Sequence, residues 1–578
     1  MSEGPPSESR QRPSAAPRAR WRGWRGPRGA RLAGTGIAVL SGLVVWVVLE
    51  APDDPLSQPL GWLVRLPVEP ILFVALMAVL PRRWRRPAGL VAGGLLGLLT
   101  LVKLLDVGFT SALRRPFDPL TDWTYLRSAR DLLSDSTGPG WAAAALVGAA
   151  VLVVALLVVV PLTVGQLARR LDRRLDRGQR GWTRALVVLS TVWVATAVTN
   201  VQVAPGVSLA STSSVDLVAD HVAQARASVR DRAAFAHAVA TDSFATVPGS
   251  DLLSGLRGKD VLVVFVESYG EVAIDGQAEF TGVSSTLDRA ASQLAADGYQ
   301  SSSAWLDSPT FGGTSWLAHS TLQSGVWVNS QRRYDELVAT DRLTLSAAFR
   351  RAGWHTVSDV PSDRQDWPEA RSFYHYDQVY DARNVGYAGP RFGYATMPDQ
   401  YTLKAFADRE LTRGERRPVM AEIDLVTSHG PWAPLPRLVD WAAVGDGSGY
   451  GHILAQARTR AAVWRDPASV RAAYGQSISY SIDSLVSFVQ AAHDDNLVLV
   501  LLGDHQPATI VSGPQPSHRV PITLVAHDPA VTQRVGGWDW QEGMRPGPDA
   551  PVWPMNEFRD RVLTTFGPLP TTLAGAAR

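Results

Sequence analysis

Residues suited to metal binding and acid–base chemistry follow three apolar, strand-like segments. Glu267 ends DVLVVFVE, His429 stands in TSHGPW, and Asp504 and His505 stand in GDHQP. Carboxylates together with imidazole groups suit Mn²⁺, Mg²⁺ or Zn²⁺. Each residue alone is consistent with an ordinary polar loop, but their common position at strand ends predicts one metal site.

A hydroxyl group that suits such a site lies in DSPTFGGTSWLAHSTLQSG. Two glycines precede Thr314, and the run 315–323 is predicted to be helical. A hydroxyl at a helix N-terminus faces free backbone N–H groups and the positive end of the helix dipole, which favours phosphate. Thr314 is therefore a candidate nucleophile or a plain N-cap, and the two roles are compatible.

Alternating strands and helices from Gly258 onward must position these residues. Short β-branched apolar runs favour buried strands, and the alternation predicts an α/β domain with a parallel or mixed sheet covered by helices. In such sheets ligands bind at the carboxyl ends of strands, where the candidate residues lie. The predicted strands are 260–267, 355–360, 419–426, 497–502 and 520–526, and the predicted helices are 285–297, 343–352 and 470–492.

The order of the motifs VESYG, FGGTSW, SHGPW and LGDHQP resembles that of the alkaline phosphatase/sulfatase superfamily. Within it, the chain is most similar to the lipoteichoic acid synthase and phosphoglycerol transferase group, from about residue 32 to about residue 530. The resemblance implies five N-terminal transmembrane helices and an extracytoplasmic catalytic domain, an α/β/α sandwich of the alkaline phosphatase type.

Catalytic and metal-binding roles follow from the same resemblance, motif by motif. It implies that one divalent metal, Mn²⁺ with Mg²⁺ or Zn²⁺ as alternatives, is held by Glu267, Thr314, Asp504 and His505. Thr314 is also the implied nucleophile, and His429 is implied to contact the phosphate or the leaving group.

Substrate-binding candidates lie in two further segments. FYHYDQVYD matches the family's aromatic substrate-contact region, where Tyr374 and Tyr376 replace the Trp and Arg that the family often has. In SHRVP, His518 and Arg519 are candidates for phosphate contact, with a structural role as the alternative for His518.

Composition excludes several related chemistries. The chain has no Cys, which rules out disulfides, thiolate metal sites and Cys nucleophiles. The sulfatase signature C/S-x-P-x-R is missing, and phosphoethanolamine transferases usually carry disulfides. A formal net charge of +2 gives no indication of nucleic-acid binding.

The N-terminal third is predicted to be membrane-embedded. Apolar runs at 32–49, 70–81, 87–105, 141–166 and 185–203 suggest five spans, the second of which is short. Arg-rich segments lie at 1–31, 82–86 and 167–184, so the positive-inside rule favours a cytoplasmic N-terminus and an extracytoplasmic C-terminal half. The helices serve as an anchor or as part of a lipid-substrate path.

These patterns divide the chain into five predicted regions. They are a disordered basic cytoplasmic tail (1–31), the transmembrane region (32–203), an extracytoplasmic helical linker (204–257), the catalytic domain (258–535) and a C-terminal extension (536–578).

The predicted activity is phosphoryl transfer, in the family's usual case of phosphoglycerol. It would run from a lipid-linked donor such as phosphatidylglycerol to an envelope glycan or glycolipid, through a covalent threonine intermediate. Hydrolysis by an extracytoplasmic phosphodiesterase or phosphatase is the nearest alternative. A catalytically silent envelope-assembly scaffold is a different class, and a transporter fits less well because internal repeats are not seen.

Overall fold

The computed structural model describes residues 27–51, 61–119, 122–124, 139–175, 179–204, 207–275, 281–412, 414–513 and 516–567. The chain divides into two compact units. One comprises Met1–Ala51, Leu60–Thr100 and Val154–Ser214, and the other comprises Pro52–Pro59, Leu101–Val153 and Val215–Arg578. The predicted basic tail lies outside the described residues, apart from the start of the first helix.

Five apolar helices occupy the region of the five predicted spans. Two of them, Arg82–Leu113 and Gly140–Arg173, are long and apolar enough to cross a membrane by length and composition. The other three contain shorter apolar stretches, so the five-span count remains a prediction. The full helix bounds are Pro27–Glu50, Glu69–Val79, Arg82–Leu113, Pro139–Leu175 and Gln179–Val198.

Small residues bring two of these helices into close contact within the first unit. A Cβ atom on Gly93 would lie 2.6 Å from the Cα of Pro161, and one on Gly89 would lie 2.5 Å from the Cβ of Ala168. Only glycine permits this approach, as in many helix pairs packed in membranes. Large apolar side chains such as Val91 remain exposed, which is typical of lipid-facing positions.

A nine-stranded mixed sheet forms the centre of the second unit. Asp260–Val266 pairs in parallel with Leu497–Gly503 on one side and with Val419–Leu425 on the other, and Arg519–Ala526 pairs antiparallel with Leu497–Gly503. Val552–Pro554 pairs with Gln300–Asp307 beside the main order. That order is Gln541–Glu542, Gln300–Asp307, Arg519–Ala526, Leu497–Gly503, Asp260–Val266, Val419–Leu425, His355–Val360 and Gln378–Asp381.

Helices cover both faces of this sheet. In the strand Asp260–Val266, alternate residues belong to different cores: Leu262 and Val264 pack on one face, and Val263 and Phe265 on the other. Burial of both faces explains why this strand and Leu497–Gly503 are continuous apolar runs. The predicted α/β class and mixed sheet are confirmed.

The predicted strands and helices are found with small shifts at their ends. The helices of this unit are Ser213–Ala240, Val272–Asp275, Thr281–Ala296, Ser315–Ser324, Gln331–Val338, Leu345–Arg351, Glu369–Ser372, Asp399–Phe406, Trp441–Val444, Gly451–Gln456, Arg460–Val463, Pro467–Ala492, Thr509–Ser512, Pro529–Val535 and Glu557–Phe566. After residue 535, two short strands join the sheet. The last helix, Glu557–Phe566, buries Phe558 and Leu563 in the hydrophobic core on one face of the sheet.

Candidate functional site

Two parallel strands bring three of the four predicted metal ligands, Glu267, Asp504 and His505, to one edge of the sheet, and the fourth, Thr314, is not part of this cluster. Val266 lies beside Gly503 in the register, so Glu267 and Asp504 follow neighbouring strands at the same level. His505 comes next along the chain. This is the placement that the strand-end pattern predicts.

The three side chains converge with the geometry of a metal-ligand set. Nε2 of His505 lies 3.4 Å from Oε1 of Glu267 and 3.4 Å from Oδ2 of Asp504. Nδ1 of His505 lies 2.9 Å from the carbonyl oxygen of Gln506, which orients the ring and directs Nε2 at the carboxylates. Oδ2 of Asp504 is buried without a hydrogen-bond partner among the described residues. A divalent cation would satisfy this oxygen, so the residues fit the implied metal.

Burial and mutual charge shift the protonation of this cluster. Burial tends to raise the pKa of Glu267, but the hydrogen bond and the charge of His505 outweigh it and hold that pKa well below its usual range. Burial and the neighbouring charge of Glu267 raise the pKa of Asp504 to about 6. For His505, burial acts downward, yet Asp504 and Glu267 raise its pKa to about 9.

Two adjacent hydroxyl groups stand at the N-terminus of the helix Ser315–Ser324. Oγ of Ser315 lies 3.1 Å from Oε2 of Glu267 and 3.3 Å from Nε2 of His505. Oγ1 of Thr314 instead donates to the carbonyl oxygen of Gly313 at 2.5 Å and does not cap the helix. Thr314 has a left-handed backbone, with φ of 67°, a conformation that is uncommon for residues other than glycine. Sequence reasoning named Thr314 and missed Ser315.

Glu267, Thr314 and Ser315 face a cavity of about 850 Å³. His429 lies in its wall, with its ring stacked on Tyr394 at a centroid distance of 3.7 Å. Nδ1 of His429 lies 2.6 Å from the carbonyl oxygen of Gly430, which leaves Nε2 as the nitrogen available to a ligand. The wall also contains Glu267, Thr314 and Ser315, so the predicted nucleophile, a predicted ligand and the predicted acid share one cavity.

A second polar cluster in the same cavity wall was not predicted. Nδ1 of His319 lies 3.0 Å from Oε1 of Glu422 and 3.6 Å from Oδ1 of Asp424. Burial acts to lower the pKa of His319, but Asp424 and Glu422 raise it to about 9. The signal in the sequence is the strand AEIDL, whose two acidic residues stand two apart and so share one face.

The predicted substrate-binding residues lie in different places. Tyr374 is buried but lines the cavity. Tyr376 is buried beneath it, and its hydroxyl donates to Oε2 of Glu422 at 3.0 Å. His518 and Arg519 are not in the cavity wall; Nδ1 of His518 lies 3.2 Å from the carbonyl oxygen of Ser308, and Arg519 pairs with Glu271. Substrate contact by these four residues remains a prediction.

Solved structures similar to this chain come from the superfamily that the motifs resemble. The lipoteichoic acid synthase LtaP of Listeria monocytogenes is 14% identical, with a TM-score of 0.37, over 54% of this chain and 73% of that one. The phosphoglycerol transferase GacH of Streptococcus pyogenes is 11% identical, with a TM-score of 0.33, over 55% of this chain and 87% of that one. An alkaline phosphatase superfamily protein of Vibrio parahaemolyticus is 14% identical, with a TM-score of 0.35, over 55% of this chain and 68% of that one.

The predicted resemblance to this superfamily is thus confirmed among solved structures. No family model matches the sequence, and no curated protein matches it. Because the identities and TM-scores of the structural matches are low, the activity of this chain must be argued from its own residues.

Proposed function

We propose that this chain is a membrane-attached, cation-dependent phosphoryl transferase that acts through a covalent enzyme intermediate. One observation carries the proposal: the Glu267, Asp504 and His505 cluster has a serine hydroxyl within 3.1 Å of Glu267, at the N-terminus of a helix. A divalent cation held by this cluster would supply positive charge to the phosphoryl oxygens and lower the pKa of the nucleophilic hydroxyl.

The geometry favours Ser315 over Thr314 as the nucleophile. The Ser315 hydroxyl contacts both Glu267 and His505, whereas that of Thr314 is held by the carbonyl oxygen of Gly313. Thr314 remains the assignment that the family resemblance implies. Both hydroxyls stand at the N-terminus of the same helix, whose free N–H groups stabilise negative charge on a bound phosphate.

The proposed reaction has two displacement steps at phosphorus. The nucleophilic hydroxyl loses its proton to water and its oxygen forms a bond to phosphorus, while the bond to the donor's alcohol oxygen breaks and His429 gives that alcohol oxygen a proton. The acceptor's hydroxyl then loses its proton to His429 and forms the new bond to phosphorus. The bond between phosphorus and the enzyme oxygen breaks, and that oxygen takes a proton back from water. Water in place of the acceptor makes the same site a phosphodiesterase or phosphatase.

A lipid donor and an envelope acceptor complete the proposal. The chain carries long apolar helices in the same polypeptide as the cavity, so a membrane lipid such as phosphatidylglycerol is a suitable donor, and a glycan or glycolipid is a suitable acceptor. We place the cavity outside the cytoplasm because the Arg-rich segments favour that topology.

The test is to trap the intermediate on the full-length protein in detergent with Mn²⁺ and phosphatidylglycerol. Peptide mass spectrometry should find a glycerophosphoryl group on Ser315, and Ser315→Ala should lose both the adduct and diacylglycerol release. Thr314→Ala should retain the adduct, although with slower turnover. Asp504→Asn, which removes a cation ligand, should abolish the reaction.

Two results would change the proposal. An adduct on Thr314 that survives Ser315→Ala would overturn the Ser315 assignment and leave the function standing. No adduct and no turnover in cation-loaded protein, offered phosphatidylglycerol and a native lipid extract, would overturn the transferase in favour of a scaffold.

A further inference from the structure

The geometry points to a second divalent-cation site in the cavity, formed by His319, Glu422 and Asp424. We propose that this chain binds two cations, one at Glu267, Asp504 and His505 and one at this second cluster. Carboxylate oxygens with an imidazole nitrogen suit Mn²⁺ or Zn²⁺.

The separations among the donor atoms fit one ion. Nδ1 of His319 lies 3.0 Å from Oε1 of Glu422 and 3.6 Å from Oδ1 of Asp424. Atoms about 2.1 Å from a shared ion, at tetrahedral or octahedral angles, lie roughly 3.0–3.5 Å apart. The first cluster has comparable separations of 3.4 Å. Both clusters therefore have the spacing of a ligand set.

Surrounding residues hold two of the ligands in place. Oε2 of Glu422 accepts hydrogen bonds from the Tyr376 hydroxyl and the Gln323 amide, which leaves Oε1 directed at His319. The His319 ring is stacked on Phe265, with centroids 3.8 Å apart and planes inclined by 12°. Such outer contacts orient metal ligands before the ion arrives.

An unsatisfied oxygen provides an observation independent of the spacing. Oδ1 of Asp424 is buried and accepts no hydrogen bond from any described residue. A buried carboxylate oxygen without a donor is costly, and a cation removes that cost. Oδ2 of Asp504 in the first cluster has the same property.

The carboxylates of the cavity wall also favour the binding of more than one cation. Four carboxylates, those of Glu267, Asp363, Glu422 and Asp424, are in its wall, while no Lys or Arg is found there among the described residues. Asp504 lies directly behind the wall. A second divalent ion would offset these carboxylates and add positive charge for an anionic phosphodiester. This step alone rests on the proposed function, because it takes the ligand to be a phosphate.

Metal content measures the inference independently of activity. Full-length protein in detergent is stripped with chelator, loaded with Mn²⁺, freed of excess ion by gel filtration and analysed by mass spectrometry for Mn per chain. We expect two ions in the wild type and one each in Asp424→Asn and His319→Phe. Asp504→Asn should also hold one ion. Asp363→Asn is the matched control, because it removes a carboxylate of the same wall that belongs to neither cluster, and it should keep two ions.

The outcomes separate the inference from the proposed function. One ion in the wild type, lost in Asp504→Asn and kept in Asp424→Asn, overturns the second site while the first site stands. Two ions in both Asp424→Asn and His319→Phe place the second ion elsewhere and also overturn it. Glu422→Gln tests the site again if another variant fails to fold, with circular dichroism as the check. The Ser315 adduct experiment does not depend on this count.

Discussion

At the scale of single residues, protons compete with cations for the same atoms. In the metal-free cluster the pKa of His505 is about 9, because Asp504 and Glu267 outweigh the downward effect of burial. Near neutral pH, Nε2 therefore carries a proton that a bound cation must displace. The second cluster has the same character, since the pKa of His319 is also about 9.

Cation affinity should consequently fall as the pH is lowered from about 9. Between pH 6 and 9 we expect about a tenfold loss per pH unit for the ion at Glu267, Asp504 and His505, since the proton of His505 leaves as the ion binds. The loss for the ion at the second cluster should be at least as steep, because burial also raises the pKa of Asp424. Below about pH 6 the dependence should steepen as Asp504 also takes up a proton. Calorimetry in two buffers of different ionisation enthalpy counts these protons, and binding without proton release would contradict the assignment.

A second residue-scale prediction concerns Asp359 in the strand His355–Val360. Burial and the nearby charge of Asp381 raise the pKa of Asp359 to about 8, and its oxygens have no hydrogen-bond partner among the described residues. The folded protein thus keeps a proton that the unfolded chain releases near pH 4, so this group's contribution to stability falls as the pH rises from about 4 to 8.

Asp359→Asn, an isosteric neutral change, should remove this dependence and raise the free energy of unfolding at pH 8 by roughly 2 kcal/mol. Asp377→Asn is the opposing control, because hydrogen bonds from Thr356 and Arg350 outweigh burial and hold the pKa of Asp377 below its ordinary value. That variant should lose stability at neutral pH. Thermal unfolding at pH 5 and pH 8 measures the stability of both variants relative to the wild type. An equal change in stability at the two pH values for Asp359→Asn would show that Asp359 is not responsible for the pH dependence.

At the scale of elements, a buried arginine joins the helix Ser213–Ala240 to the sheet domain. Nη1 of Arg342 donates to the carbonyl oxygens of Ala238 and Val239, each at 3.1 Å, in the last turn of that helix. Arg342 also pairs with Asp242 at 3.3 Å. A cation at a helix C-terminus satisfies free carbonyl groups and complements the dipole.

Arg342→Ala should therefore lower the free energy of unfolding by roughly 3 kcal/mol, because it leaves the buried carbonyl oxygens of the helix end without their donor and removes one of the two arginines paired with Asp242, the other being Arg559. The matched control is Arg232→Ala, which removes an exposed partner of Glu336 and should change stability by less than about 1 kcal/mol. Denaturant unfolding of the two variants provides the comparison. Similar losses in both would show that the helix end is not held by Arg342.

At the scale of the whole molecule, the five-span topology is a prediction from hydropathy and the placement of arginine. Two helices are long and apolar enough to cross a membrane, and three shorter apolar ones lie in the predicted spans. The helix of the second predicted span, Glu69–Val79, has only 11 residues, so that span is the weakest. In the predicted topology, the side of the membrane that the segment 82–86 occupies depends on whether this helix crosses.

The complete lack of Cys makes that question directly measurable. A membrane-impermeant maleimide applied to intact cells should label Ser250→Cys and leave Arg83→Cys and Arg173→Cys unlabelled until the membrane is permeabilised. Labelling of Arg83→Cys from outside would remove the second span and overturn the five-span topology. The Cys-free wild type is the background control.

The sequence alone determined the strands, the site edge and the exclusion of thiol chemistry. Continuous β-branched runs such as DVLVVFV are local signals of a buried strand, and polar residues at their ends point to one edge of the sheet. Glu267, Asp504 and His505 were therefore found without coordinates, since strand pairing is all that brings them together.

Only the tertiary structure decided which hydroxyl contacts the cluster of Glu267, Asp504 and His505. It alone also brought His319, Glu422 and Asp424 together as a second cluster. The contact of Ser315 rather than Thr314 with Glu267 depends on the local conformation at the helix start, which the order of two adjacent hydroxyl residues in a sequence does not reveal. His319 meets Glu422 because a helix packs over a strand about 100 residues away, and this contact has no local signature. Packing between distant elements is what turned a single predicted metal site into a cavity with two candidate ligand sets.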